Sequence, residues 1–284
     1  MIDDLSTGDP RGLDGLDVEF VEGSILSPEA LAKAMDGCDS VVHLAARPSV
    51  PKSLKDPVAS HEANATGTVR VLEAARATGG PQVIVASSSS VYGGNPTLPK
   101  SEDLTPMPLS PYAVSKLATE SYALAYQSSY SLPVLAFRFF NVFGPGQSAG
   151  HAYAAVVPTF VSAALEIRPL PVYGDGRQTR DFTYVGTVAA VIEDAVTRRV
   201  SNAAPVNLAF GTRTDLLTLI RLLEDILGVQ LEVEHLEPRA ADVRDSQAEA
   251  SKLQALFPKI RAVGLSEGLE RTIEWFRSSM DLAL

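Results

Sequence analysis

The stretch Tyr112-Ala-Val-Ser-Lys116 places a phenol and an ammonium four residues apart. On a helix the two lie on one face about a turn from each other, where both can reach one ligand. A free phenol has a pKa of about 10, and each unit of lowering requires about 1.4 kcal/mol of preferential interaction with the phenolate. A positive charge held close in a dry pocket supplies interaction of that size. The result is a base that takes a proton from a substrate hydroxyl near neutral pH. An isolated Tyr-x-x-x-Lys reads more readily as a packed ring beside a solvated lysine. The surroundings argue otherwise, because the apolar run 83–86 ends in four serines, 87–90, before Val91-Tyr92-Gly93. A buried strand whose carboxyl end opens into hydroxyls is where an open α/β sheet places its ligand. Ser88 is the candidate third member of the site.

The elements that must position these groups alternate. Residues 1–4 read as the tail of a strand and 5–15 as a turn-rich segment; strands follow at 18–21 and 40–45, with a helix over 28–35 capped by Ser27. A long helix covers 61–77, then strand 82–87, a proline-rich loop 95–111, helix 112–130 and strand 134–139. This is a parallel sheet in sequence form. Beyond Gly144 the rhythm loosens. Helices are expected at 153–166, 188–197 with Thr187 as cap, 215–227 with Thr214 as cap, and 266–278; strands at 170–173 and 231–234.

With 284 residues, 45% hydrophobic and 7% aromatic, the chain can bury a large core. No run of 18 apolar residues occurs and the N-terminus carries no signal-like pattern, so neither membrane insertion nor secretion is expected and the compartment is read as cytoplasmic. The single cysteine, Cys38, excludes an internal disulfide and a cysteine-based zinc site, and four scattered histidines lack metal spacing. No metal is expected. A net charge of -10 argues against nucleic acid as a partner, while a local cluster of arginines can still hold a phosphate.

Four motifs in order, Ser87-Ser-Ser-Ser-Val-Tyr-Gly93, Tyr112-Ala-Val-Ser-Lys116, Arg138-Phe-Phe-Asn-Val-Phe-Gly-Pro145 and Arg180-Asp-Phe-Thr-Tyr-Val185, resemble the extended short-chain dehydrogenase/reductase family. Within it the chain is similar to nucleotide-sugar 4-epimerases that act on UDP-hexoses, over residues 2 to about 277. The resemblance implies an α/β fold: a Rossmann-like doubly wound parallel sheet over 1–143, which also receives segments from about 182–210, and a smaller nucleotide-sugar lobe over 144–284. It implies NAD as cofactor, a UDP-sugar as substrate, and a homodimer that pairs the helices at 61–77 and 112–130. Catalysis would fall to Ser88, Tyr112 and Lys116, with hydride passing to and from sugar carbon 4 and Lys116 also binding the nicotinamide ribose.

By the same resemblance, Asp3 and Asp4 accept from the adenosine ribose, Ser24 and Ile25 face the adenine, Leu44, Ala45 and Ala46 pack on the adenosine and pyrophosphate, and Asn64 lies near the nicotinamide. Asn141, Arg180 and Arg239 hold the diphosphate, Asp242 the uridine ribose, Val172 and Tyr173 line the uracil, and Ser246 faces carbon 2 of the hexose. A small residue there leaves room for an N-acetyl group. Several positions depart from the pattern. Ser24 replaces an adenine-binding Asp, Ala240-Ala241 replace Pro-Gly before Asp242, and Ser89 and Ser90 stand where dehydratases carry an acid pair. The first strand, glycine-rich turn and helix that should precede Asp3 are expected to be missing, so NAD binding by the chain as written should be poor. A UDP-glucuronate 4-epimerase, disfavoured by Asn141, and a silent sugar-nucleotide binder are the competing readings.

Overall fold

A computed structural model of the chain describes residues 1–149, 155–238 and 243–281. The chain divides into two compact units: 1–95, 102–139 and 192–206 in the first, and 96–101, 140–191 and 207–284 in the second.

In the first unit, β1 (Ile2–Asp3) pairs in parallel with β2 (Val21–Glu22), followed by α1 (Pro28–Met35), β3 (Ser40–His43), α2 (Val50–Lys55) and α3 (Pro57–His61). A π turn (Glu62–Thr66) leads into α4 (Gly67–Ala77), then β4 (Gln82–Ser88), α5 (Pro111–Tyr130) and β5 (Val134–Phe139). Strands β3, β4 and β5 are parallel neighbours, with Val85 of β4 opposite His43 on one side and Ala136 on the other. Parallel strands covered on both faces read as continuous apolar runs, and β4 is buried along its length until Ser88. Leu31, Leu72, Val83, Val85, Ala123 and Val134 form the core of this unit. The returning segment is fastened by the Gln82 amide, which donates to the carbonyls of Ala195 at 3.1 Å and Val200 at 2.7 Å.

β1 and β2 form a sheet of their own, separate from β3–β4–β5. Ile2 and Val41 nevertheless pack on the same apolar cluster, so β1 and the unpaired edge of β3 rest on one helical layer. On the other face Val42 and Leu44 are exposed, 38% and 52%.

The second unit holds β6 (Val142–Phe143), α6 (Val156–Leu165), β7 (Leu170–Tyr173), β8 (Thr179–Arg180), β9 (Thr183–Tyr184) and the start of α7 (Val185–Thr197). After β10 (Val206–Leu208) come β11 (Thr214–Asp215), α8 (Leu216–Leu227), β12 (Val233–Leu236), α9 (Ser251–Leu256) and α10 (Leu265–Asp281). Phe143, Phe160, Val172, Leu219, Leu223, Leu269 and Ile273 make its core.

Several expected boundaries shift. The helix over 61–77 is broken by the π turn, and the 18–21 and 40–45 strands shorten to β2 and β3. Asp215, not Thr214, caps α8, its carboxylate accepting from the Thr218 amide at 2.7 Å, because Asp215 immediately precedes the helix and reaches its first turn while Thr214 lies one residue further out. α7 starts at Val185, so Thr187 lies inside it and its hydroxyl accepts from the Val263 amide. The edge strand falls at Val233–Leu236 rather than 231–234, and α2 and α9 carry no strong periodic signal of their own.

Candidate active site

Ser110 caps α5 by accepting from the Ala113 amide at 3.2 Å, and Pro111 opens the helix. Tyr112 therefore stands in the first turn, its amide donating to the Ser53 hydroxyl of α2. Ser88 ends β4 and caps the short turn Ser89–Tyr92. Gly93 closes that turn at φ +46, where a Cβ would lie 2.0 Å from the Met107 carbonyl. The Ser88 hydroxyl acts on the Tyr112 phenol as a donor and lowers its pKa, against the upward push of burial. Ser88 Oγ also accepts from the Ser90 amide at 3.1 Å and the Ser90 hydroxyl at 2.9 Å, which leaves its own proton for the phenol oxygen.

Lys116 follows one turn below. It is buried, with Nζ donating to the Ala86 carbonyl at 2.8 Å, and burial pulls its pKa down to about 8. The phenol itself is pushed up by burial, with only the Ser88 hydrogen bond opposing. Without a cofactor the phenol is not acidified, and the ammonium is engaged by the Ala86 carbonyl of β4.

Asn64 sits in the π turn, where the ring of hydrogen bonds widens and side chains are re-aimed. It is buried, its Oδ1 accepting from the Arg47 amide at 2.7 Å and its Nδ2 donating to Ser115 Oγ at 2.9 Å. It thereby fixes the chain directly after Leu44-Ala45-Ala46 to the Tyr112 helix. The hydroxyls of Thr68 and Thr119 both donate to its carbonyl, and His43 Nε2 lies 3.0 Å from Thr68 Oγ1. Burial, then the Lys116 charge, hold the His43 pKa at about 3, so this imidazole is neutral. Glu120, one turn beyond Lys116, accepts from Ser87 Oγ at 2.9 Å and pairs with Arg138 at 2.6 Å. His43 opens the His43-Leu-Ala-Ala46 segment read as facing the adenosine and pyrophosphate, whereas Glu120 does not stand out in the sequence, since its partners Ser87 and Arg138 lie 33 and 18 residues away.

Of the positions assigned to the adenosine end, Asp3 Oδ1 accepts from the Leu5 amide at 2.7 Å, and Asp4 accepts from Ser6, whose hydrogen bonds lower its pKa. Ser24 Oγ accepts from the Leu26 amide, while Ile25 packs in the unit's core against Gly67. Leu44, Ala45 and Ala46 lie past the end of β3, with Leu44 open to solvent.

In the second unit, Asn141 Nδ2 donates to the Asp181 carbonyl at 3.2 Å, and Arg180 Nη1 donates to the carbonyls of Thr179 and Arg244. The Ser246 amide donates to the Thr179 carbonyl at 3.1 Å. Val172 is fully buried in the core, so its side chain serves packing, and Tyr173 beside it is partly exposed. Arg239 and Asp242 lie outside the described residues. Among the described residues no group of three or more metal-ligating side chains occurs, and no helix is long and apolar enough to cross a membrane.

Residues 1–209 match the family described as NAD dependent epimerase/dehydratase family. A UDP-glucose 4-epimerase of Mycolicibacterium smegmatis is 35% identical over 98% of this chain and 90% of its own length. Two solved structures are also similar. The UDP-N-acetylglucosamine 4-epimerase of Methanobrevibacter ruminantium in complex with UDP-N-acetylmuramic acid superimposes with a TM-score of 0.93 at 34% identity, over 98% of this chain and 90% of that one. The UDP-glucose 4-epimerase of Thermotoga maritima with UDP-glucose gives 0.91 at 30% identity over the same shares. The four motifs, the fold they sit in and these matches together make the chain a member of the NAD dependent epimerase/dehydratase family.

Proposed function

We propose that this chain is an NAD-dependent UDP-sugar 4-epimerase. The observation that carries the reading is the Ser88 hydroxyl at the end of β4 acting on the Tyr112 phenol in the first turn of α5, with a buried ammonium one helical turn away. The Tyr112 phenolate takes the proton of the sugar 4-hydroxyl as hydride leaves carbon 4 and gives it back on the return step, and the Ser88 hydroxyl, donating toward the phenol oxygen, shares that proton path with no net change of its own. Lys116 adds the positive charge that favours the phenolate once the site is dry. Bound NAD supplies the acceptor that takes hydride from sugar carbon 4 and returns it. Ser89 and Ser90 bring no carboxylate to this strand end, which supports epimerisation over elimination.

The donor set fits the two ends of NAD: Lys116 and Tyr112 for the nicotinamide ribose, and the Asp3 and Asp4 carboxylates for the adenosine ribose. For the pyrophosphate, the uncovered Val42 and Leu44 at the end of β3 support a cofactor-facing surface at that strand end. The exposed Val114, Tyr122 and Tyr130 of α5 support a homodimer through that helix, which light scattering tests.

Asn141, Tyr173, Arg180, Arg239, Asp242 and Ser246 make up the proposed nucleotide-sugar site. Ser246 is small and partly exposed beside β8, which leaves the volume of a bulkier side chain to an acetamido group. NAD-loaded protein is expected to turn over both UDP-glucose and UDP-N-acetylglucosamine. Ser246→Tyr should cost the N-acetyl sugar roughly 100-fold in kcat/KM by steric exclusion and leave UDP-glucose nearly unchanged. Equal losses on both sugars would remove Ser246 from the pocket, and absence of epimerisation with either would remove the function.

A further inference from the structure

Asp181 follows the proposed phosphate ligand Arg180 and is completely buried. A carboxylate leaves water only where donors replace its hydration, and three converge on it. Oδ2 accepts from the amides of Gly211 at 3.1 Å and Ala248 at 3.0 Å, and Oδ1 from the Thr212 hydroxyl at 2.8 Å. Its own backbone carbonyl is taken by Asn141 Nδ2. Desolvation still outweighs these donors and leaves the acid raised above the ordinary aspartate value.

The bond from Ala248 has a specific consequence for register. Residues 244–246 run parallel to β8: the Thr179 amide donates to the Arg244 carbonyl at 3.0 Å and the Ser246 amide to the Thr179 carbonyl at 3.1 Å. The next rung of a parallel ladder would carry the Ala248 amide to the carbonyl of residue 181. Here the Asp181 side chain accepts it instead, and the main-chain carbonyl is given to Asn141. The same segment seats the Arg180 guanidinium through the Arg244 carbonyl, and the Gln247 amide ties it to the Gly211 carbonyl.

We propose that Asp181 is the positioning residue of the nucleotide-sugar site, its carboxylate locking the 244–248 segment and the 211–212 loop so that Arg180, Asn141 and Ser246 hold one geometry toward the substrate diphosphate and hexose. The inference rests on the reading of Arg180 as a phosphate ligand. Asp181→Asn keeps size but turns a donor toward an amide or hydroxyl that needs an acceptor. Thr212→Val removes one donor and leaves the carboxylate.

Calorimetric titration of UDP into NAD-loaded protein is the direct test. Asp181→Asn is expected to weaken UDP roughly tenfold or more, Thr212→Val by a smaller factor, and KM for UDP-glucose is expected to rise in step while kcat changes less than about threefold. Arg180→Met should weaken UDP by itself, and combined with Asp181→Asn should cost less than the product of the two single effects, because one change already frees the other group. A general folding role would instead lower kcat and the melting temperature with strictly multiplicative binding losses, and that pattern overturns the proposal. Unchanged UDP affinity in Asp181→Asn beside a weakened Arg180→Met overturns the proposal and keeps the phosphate ligand. Unchanged affinity in Arg180→Met beside a weakened Asp181→Asn removes the phosphate ligand, and Asp181 then acts through the 244–248 segment alone.

Discussion

Tyr112→Phe is expected to lower epimerisation by the NAD-loaded protein at least about 100-fold while UDP-sugar affinity stays within about twofold. The substitution deletes one oxygen and keeps the ring that packs at the start of α5. What disappears is the oxygen toward which Ser88 donates, and an interaction realised only as the sugar hydroxyl loses its proton appears in kcat rather than in ground-state binding. In the ligand-free protein burial raises the phenol, and Lys116 is held on the Ala86 carbonyl, so the base becomes competent only with an added positive charge beside it. The oxidised nicotinamide carries such a charge. Single-turnover rates and calorimetric UDP-glucose binding, measured on the same preparations, separate the two quantities. Retention of more than about a tenth of the wild-type rate would contradict general-base catalysis of this size.

The parts of this arrangement that sequence exposes are those set by local chemistry. A four-residue apolar run, 83–86, fixes β4, Ser110-Pro111 marks the start of α5, and Tyr112 and Lys116 then share a face by helical spacing alone. The π turn at Glu62–Thr66 escapes, because inserting one residue per turn leaves composition unchanged and shifts the phase by too little to read over five residues. Asp181 escapes for a different reason. It stands inside the Arg180-Asp-Phe-Thr-Tyr-Val185 motif, but its bonds come from Gly211, Thr212 and Ala248, 30 to 67 positions away. Cap identity at α8 turns on a single step, Thr214 against Asp215, and both types cap well.

Breaking the ion pair between Glu120 and Arg138 is expected to cost about 3–5 kcal/mol of stability, the largest loss of any single exchange near the site. Both side chains are almost sealed from water, 5% and 3% exposed, and they meet through two hydrogen bonds of 2.9 and 2.6 Å. Arg138 also lies over the Tyr92 ring at 4.7 Å and donates to the Glu102 carbonyl, and the carboxylate raises its already high pKa further against the pull of burial. With Glu120→Ala the guanidinium is left charged and buried with no anion beside it, since arginine does not deprotonate in proteins. Ser87 loses its carboxylate acceptor at the same time, and Ser87 precedes Ser88 on β4, so the proton path to Tyr112 loosens together with the fold. Arg138→Met alone strands the carboxylate in the same way. The double exchange Glu120→Leu with Arg138→Met removes both charges and fills the space with apolar atoms, and it should recover more than half of the loss, because a buried pair gives back in Coulomb attraction little more than its desolvation costs. Urea unfolding followed by circular dichroism gives all four midpoints. Single and double variants that lose equal stability would show that these residues act through packing, with the charges incidental.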